Sequence, residues 1–203
     1  MKTMKGTIAA LLLLTVAAAL RAQTMTLPAA VAADRVRIAV SGTGSSSGDS
    51  IRLLVAKSPT AGATDLLLTV APGTRLASAD GGAQSMVVAK VRGRQTGPFT
   101  FAPTSTIVAG VNPATYVVEA YCTEFEKDNP SESTSFRVQA PDPELACILQ
   151  KAAADGLSVG AVQAAVWIQT DQLTFAHMAQ KFPVTDTDYR RAAAVVQYCQ
   201  ARR

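Results

Sequence analysis

The hydrophobic pattern of this chain changes at residue 141, and that change constrains the fold more than any other feature of the sequence. Before it, short apolar or alternating stretches such as residues 36–40 and 66–70 are separated by turns rich in Gly, Ser and Pro, which is typical of β-strands. After it, the segment Pro141-Asp142-Pro143-Glu144 begins a series of helical patterns. The sequence therefore predicts an α+β fold, with a β-sandwich or barrel-like part over residues 23–140 and a helical part of about four helices over 141–203.

Local signals set the expected boundaries of several elements. Pro143 is expected at the first position of the first helix, and Pro72 and Gly73 are expected to form a turn in which Gly73 takes a positive φ. The expected N-caps of the first three helices, in chain order, are Asp142, Ser158 and Thr174, and Asp186 or Asp188 is expected to open the last helix.

The first 22 residues have the pattern of an export signal. Lys2 and Lys5 precede an apolar run over residues 8–20, which has the length of a signal-peptide core and is too short to span a bilayer. Cleavage after Ala22 would make Gln23 the first mature residue, and Ala19 is an alternative cleavage site. No later stretch is apolar for long enough to predict a membrane span. The sequence therefore predicts a secreted, periplasmic or cell-surface protein.

The mature chain would carry almost no net charge. Loss of Lys2, Lys5 and Arg21 leaves 16 basic residues against 15 acidic ones, a net charge of +1. Domains that bind nucleic acid usually carry an excess of basic residues, which this chain would lack. We therefore expect no nucleic-acid partner. We also expect no cofactor and no metal site, because one histidine and three scattered cysteines lack the paired spacing of metal ligands.

The cysteines predict one disulfide and one free thiol. The chain has three cysteines, and an odd number leaves one unpaired in an exported protein. Cys147 lies early in one predicted helix and Cys199 lies late in another, so these two form the natural bridge if the helices pack antiparallel. Cys122 would then be the free thiol. Spacing alone leaves the other pairings open.

Cys122 lies in the first of two short motifs that carry most of the functional information. It ends an apolar strand in Tyr121-Cys122-Thr123-Glu124-Phe125, and Gln163 lies in the apolar helical segment Val162-Gln163-Ala164-Ala165-Val166-Trp167. A thiol can attack a neighbouring carboxamide, expel ammonia and form an internal thioester. Each residue also has a plainer interpretation, with Cys122 as a small buried hydrophobe and Gln163 as a hydrogen-bond partner for the backbone of the adjacent sheet.

Both motifs resemble those of the bacterial thioester domains of surface adhesins, in which a Tyr-Cys element precedes a Thr-Gln-x-Ala-Ile-Trp element. Val162 and Val166 stand where that family has threonine and isoleucine, and the resemblance covers roughly residues 116–176. It implies an exported binding or adhesion domain. Such a domain attaches through a Cys122 thioester to an amine of an extracellular protein or another surface, once and without turnover.

The resemblance also assigns roles to individual residues. It implies that Cys122 and Gln163 are the thioester candidates. The supporting residues that it implies are Tyr121, Glu124 and Trp167. In that family the bond partner is a glutamine in a third, C-terminal motif of the form apolar-Gln-x-x-apolar, and the Thr-Gln glutamine only supports the bond. Gln197 and Gln200 of this chain lack that spacing, so the third motif is not found, and a bond would fall to Gln163.

Two other functions stay open on the sequence. The first is a structural or ligand-binding β-sandwich without covalent chemistry, in which Cys122 is simply buried. The second is a thiol hydrolase that pairs Cys122 with His177, the only histidine, and with Asp171. The sequence favours a binding protein over an enzyme.

Overall fold

The computed structural model describes residues 23–62 and 64–202. The predicted signal segment, residues 1–22, lies outside the described residues. The elements in chain order are β1 Gln23–Thr26, α1 Leu27–Ala32, β2 Val36–Gly42, β3 Ser47–Lys57, a 3₁₀ turn Pro59–Ala61, β4 Leu66–Thr69, β5 Thr74–Ser78, β6 Met86–Gly97, β7 Thr100–Pro103, β8 Ile107–Ala109, β9 Ala114–Cys122, β10 Phe136–Pro141, α2 Pro143–Ala154, α3 Val159–Asp171, α4 Phe175–Met178 and α5 Asp186–Gln200.

The strands form a nearly closed, barrel-like sheet, which is the second of the two shapes expected from the sequence. The main sheet follows the antiparallel order β10-β5-β6-β9-β3-β2, and β7 adds to β6. Its two end strands meet through a bridge between Ser41 and Ser135, and the Gly42 N–H donates to the Thr134 carbonyl at 3.2 Å. A smaller sheet, β1-β4-β8, contains the parallel pair β1 and β4. The barrel core is therefore enclosed on most sides by paired backbone.

In the part of the chain that the structure describes, four helices follow residue 141, and a fifth, α1, precedes β2. The prediction of about four helices missed α1, which is a six-residue helix and too short to show a helical period in the sequence. The three expected N-caps are confirmed, because Asp142, Ser158 and Thr174 each accept a backbone N–H of the following turn. The predicted start of α5 is confirmed at Asp186, the first of the two residues expected. Its N-cap is Thr185, whose hydroxyl accepts the Asp188 N–H.

Gly73 joins the barrel to the first helix of the C-terminal part. It has a φ of +86°, as the predicted turn requires. Any residue with a side chain would be strained in this backbone conformation. Its N–H donates to the Val88 carbonyl, and its own carbonyl accepts the N–H of Asp142, both at 2.9 Å. A Cβ at position 73 would lie 2.5 Å from the Asp142 carbonyl oxygen, so the close approach of the α2 N-terminus depends on glycine.

The helices form a layer on the outer face of the barrel, where α2 contacts β6 and α3 contacts β9 and β3. Cys147 of α2 and Cys199 of α5 form a disulfide, which confirms that pairing and leaves Cys122 as a free, buried cysteine. The bridge holds α2 against α5, and both of these helices contact α3. Among residues 23–62 and 64–202, no helix combines the length and the apolar character that crossing a bilayer requires.

Candidate functional site

Cys122 lies at the junction between the barrel and the helical layer. It is the last residue of β9, opposite Met86 of β6, and its side chain is completely buried. Val118 and Ala120 share its face of the strand and are buried too, as the period of two predicts. The thiol therefore belongs to the apolar interior of the barrel, close to the end of the strand.

Gln163 of α3 is completely buried and bonds the backbone of Cys122. Its Oε1 accepts the Cys122 N–H at 3.0 Å, and its Nε2 donates to the Cys122 carbonyl at 2.8 Å. A carboxamide carries one acceptor and one donor side by side, so it can continue the hydrogen-bond ladder where strand pairing ends. We call this contact the Cys122–Gln163 amide pair. It satisfies a buried amide and fixes how α3 docks on β9.

The Cys122 thiol is held in its protonated form. Burial, and after it the charge of Glu124, raise the pKa of the thiol to about 12. A protonated thiol is a poor nucleophile, and a base would have to remove its proton before attack.

The side chains of His177 and Asp171 bond groups other than the Cys122 thiol. The His177 ring lies 3.1 Å from the Glu126 carboxylate and packs edge-on against Phe125. The Asp171 carboxylate accepts the Phe125 N–H at 3.3 Å and the Thr170 hydroxyl at 2.6 Å. Burial nevertheless raises the pKa of Asp171. The structure thus does not bring Cys122, His177 and Asp171 together as the hydrolase alternative requires.

Tyr121 lies on the opposite side of β9 from the thiol. Its hydroxyl donates to the Glu119 carboxylate at 2.8 Å, and Glu119 is also paired with Arg92 and Lys90 of β6. Burial, and after it the charge of Glu119, raise the pKa of Tyr121. The residue anchors the outer face of β9 under the helices and does not contact the thiol directly.

Glu124 and Trp167 are linked through a residue that the sequence did not indicate, Gln84. The Gln84 Oε1 accepts the Glu124 N–H at 3.2 Å and the Trp167 indole N–H at 3.4 Å. The Glu124 carboxylate accepts the Ser85 N–H at 2.7 Å and pairs with Lys127. Burial alone would raise the pKa of Glu124, but these hydrogen bonds outweigh it and lower that pKa. Gln84 is buried, so it fixes the loop after β9 against α3.

A cavity of about 270 Å³ opens beside these residues, and we call it the aromatic pocket. It is lined by the rings of Phe125, Trp167 and Phe182 and by the charged residues Glu126, Lys127, Asp128 and Lys181. Ser46 also lines it, and the Ser46 carbonyl accepts the Cys122 N–H at 3.2 Å. The pocket therefore adjoins both sequence motifs. Within the part of the chain that the structure describes, no group of His, Cys, Asp or Glu is arranged to hold a metal ion.

Comparison with known proteins gives no match for this chain: no family model matches it, and neither a curated protein nor a solved structure is significantly similar to it.

Proposed function

We propose that this protein is an exported binding domain that acts outside the cell by non-covalent contacts at the aromatic pocket. The Cys122–Gln163 amide pair is the observation that carries the proposal. Both ends of the Gln163 carboxamide are engaged by the Cys122 backbone, and the thiol is buried and protonated. These features support a structural role for the two motifs, which then position the rings of Phe125 and Trp167 at the pocket.

Export is part of the same proposal. The pattern of residues 1–22 supports it, and so does the Cys147–Cys199 disulfide, because disulfides form and persist in oxidising compartments. Protein recovered from outside the cytoplasm of its own host should begin at Gln23. Retention of Met1 on the folded, oxidised protein would contradict export.

Covalent attachment is a second candidate, and the direct contact between Cys122 and Gln163 favours it. In that reaction the Cys122 sulfur adds to the Gln163 side-chain carbonyl carbon, and the amide nitrogen leaves as ammonia with the thiol proton. A partner amine then attacks the thioester carbonyl, forms an amide with Gln163 and returns the proton to Cys122. This is the chemistry that the resemblance to thioester domains implies.

Methylamine distinguishes the two candidates. The native protein is incubated with methylamine, digested without reduction and mapped, with Cys122→Ala as the matched variant. We expect an unmodified peptide containing Gln163 in both proteins. Methylamide formation at Gln163 in the wild-type protein, absent from Cys122→Ala, would overturn the non-covalent proposal and establish the covalent one.

A further inference from the structure

The aromatic pocket has rigid walls of perpendicular rings. Trp167 packs edge-to-face with Phe125 at 4.9 Å between ring centroids and with Phe182 at 5.0 Å. The indole N–H is fixed by Gln84, and both Trp167 and Phe125 are almost completely buried. Ring faces carry negative charge density, so a preorganised group of this kind favours a cation over an anion.

A cation of this chain already lies in the pocket. The Lys181 ammonium is 5.2 Å from the centroid of the Phe125 ring and forms an ion pair with Glu126. That distance is within the range of cation–π attraction. Both charged side chains are more than half exposed, at 52% for Lys181 and 62% for Glu126, so an external cation can reach the same place.

Carboxylate and ammonium groups balance in the lining of the pocket, where Glu126 and Asp128 stand against Lys127 and Lys181. Glu126 pairs with Lys181, and Lys127 pairs with Glu124, which lies outside the lining. An ammonium ligand would therefore bind Glu126 by taking the place of Lys181, which keeps the charge of the pocket unchanged.

We propose that the aromatic pocket binds the ammonium group of an alkylamine presented by a partner, in the position between Glu126 and Phe125 that Lys181 now occupies. This inference deepens the proposed binding function and rests on it. The ammonium of the ligand pairs with Glu126, and its alkyl chain packs against Phe182, which is only partly buried. Lys181 is then an internal competitor that the ligand displaces.

A fluorescence titration tests the ligand class directly, because Trp167 is the only tryptophan of the chain and lines the pocket. The native protein is titrated with n-butylammonium chloride at constant ionic strength. We expect a saturable change in tryptophan fluorescence, and no such change with n-butanol or sodium butyrate. An equal response to n-butanol, or a response to n-butylammonium that does not saturate, would overturn the proposal.

Two variants locate the binding position. Lys181→Met removes the competitor and should tighten n-butylammonium binding about three- to tenfold, and Glu126→Gln should weaken it roughly threefold. Lys151→Met is the matched control, because Lys151 pairs with Asp155 and lies 4.9 Å from the Tyr198 ring centroid, far along the chain from the pocket. Unchanged affinity in Lys181→Met, or equal tightening in Lys151→Met, would contradict the assigned position.

The same titration separates this inference from the wider functional proposal. In Cys122→Ala the response should persist and be reversed by dialysis. A response that resists dialysis and is lost in Cys122→Ala would mean covalent capture and refute the non-covalent function. No response in either protein would refute the ammonium site alone. Parallel titrations with Nα-acetyl-lysine amide and with cadaverine distinguish a protein side chain from a free diamine as the source of the ammonium group.

Discussion

Replacing Gln163 with glutamate converts the amide pair into a pH-sensitive contact. A protonated carboxyl group has one donor and one acceptor, so it can still accept the Cys122 N–H and donate to the Cys122 carbonyl. The ionised carboxylate only accepts hydrogen bonds, so it loses the bond to the carbonyl and faces that oxygen in a completely buried position. Gln163→Glu should therefore fold well when the side chain is neutral and poorly when it is charged.

The size of this effect follows from the burial of Gln163, whose exposure is 0%. Buried glutamates without a cationic partner reach pKa values of about 8–9, against about 4.3 in an unfolded chain. The folded state then binds the proton more tightly than the unfolded state. The stability of the variant is complete below about pH 4 and falls as the pH rises towards the folded-state pKa, by about 1.4 kcal/mol per pH unit. At pH 7 the loss amounts to about 3–4 kcal/mol.

Urea unfolding followed by Trp167 fluorescence measures this loss between pH 4 and pH 8. Gln150→Glu is the matched control, because Gln150 lies on an exposed position of α2. The difference in unfolding free energy between the two variants should be small at pH 4 and grow steadily up to pH 7. If Gln163→Glu is no less stable than Gln150→Glu at pH 8, Gln163 is not buried against the Cys122 backbone and the reasoning fails.

Three further predictions follow from the same structure. Replacing Cys147 and Cys199 by serine should lower the free energy of unfolding by about 4 kcal/mol in the chain-entropy model, as measured by chemical denaturation, and a change under about 1 kcal/mol would contradict the bridge. Gly73→Ala should destabilise the protein by about 1–3 kcal/mol in the same assay, because of its positive φ and the contact with Asp142. Iodoacetamide should leave native Cys122 unmodified at both pH 7 and pH 9 but alkylate it in urea, faster at pH 9, and rapid native alkylation would contradict its burial.

The helix boundaries could be predicted because capping is a local interaction. The Ser158 hydroxyl accepts the Ala161 N–H at 3.1 Å, three residues on, so both partners are visible in the sequence. The hydrogen bonds of Asp188 could not be predicted in this way. Its carboxylate accepts the hydroxyls of both Thr185 and Ser158, and Ser158 lies 30 positions away in the sequence. Strands β1, β5, β7 and β10 were missed. They have four to six residues each, so their periodic signal is short, although Phe136 and Val138 of β10 do alternate with polar residues.

Only part of the candidate site could be predicted from the sequence. Cys122 and Gln163 were indicated because a polar amide in an apolar helix requires a partner, and the structure brings these two residues into contact. Gln84 was not indicated, because it lies in a polar segment without periodicity and meets Trp167 across 83 positions of sequence. The aromatic pocket depends on the same kind of distant contact, between the loop after β9 and the segment after α4.

The intact mass of the native protein, purified from outside the cytoplasm of its own host, tests the central claim most directly. We expect the mass of the chain from Gln23 with one disulfide and with the Gln163 amide retained, and one further alkylated thiol, Cys122, after unfolding without reduction. An N-terminal Gln23 can itself lose one ammonia by cyclising, so peptide mapping locates any loss. Loss of ammonia from the peptide containing Gln163, with no alkylatable Cys122 after unfolding, would contradict this result and show that the amide pair had become a thioester.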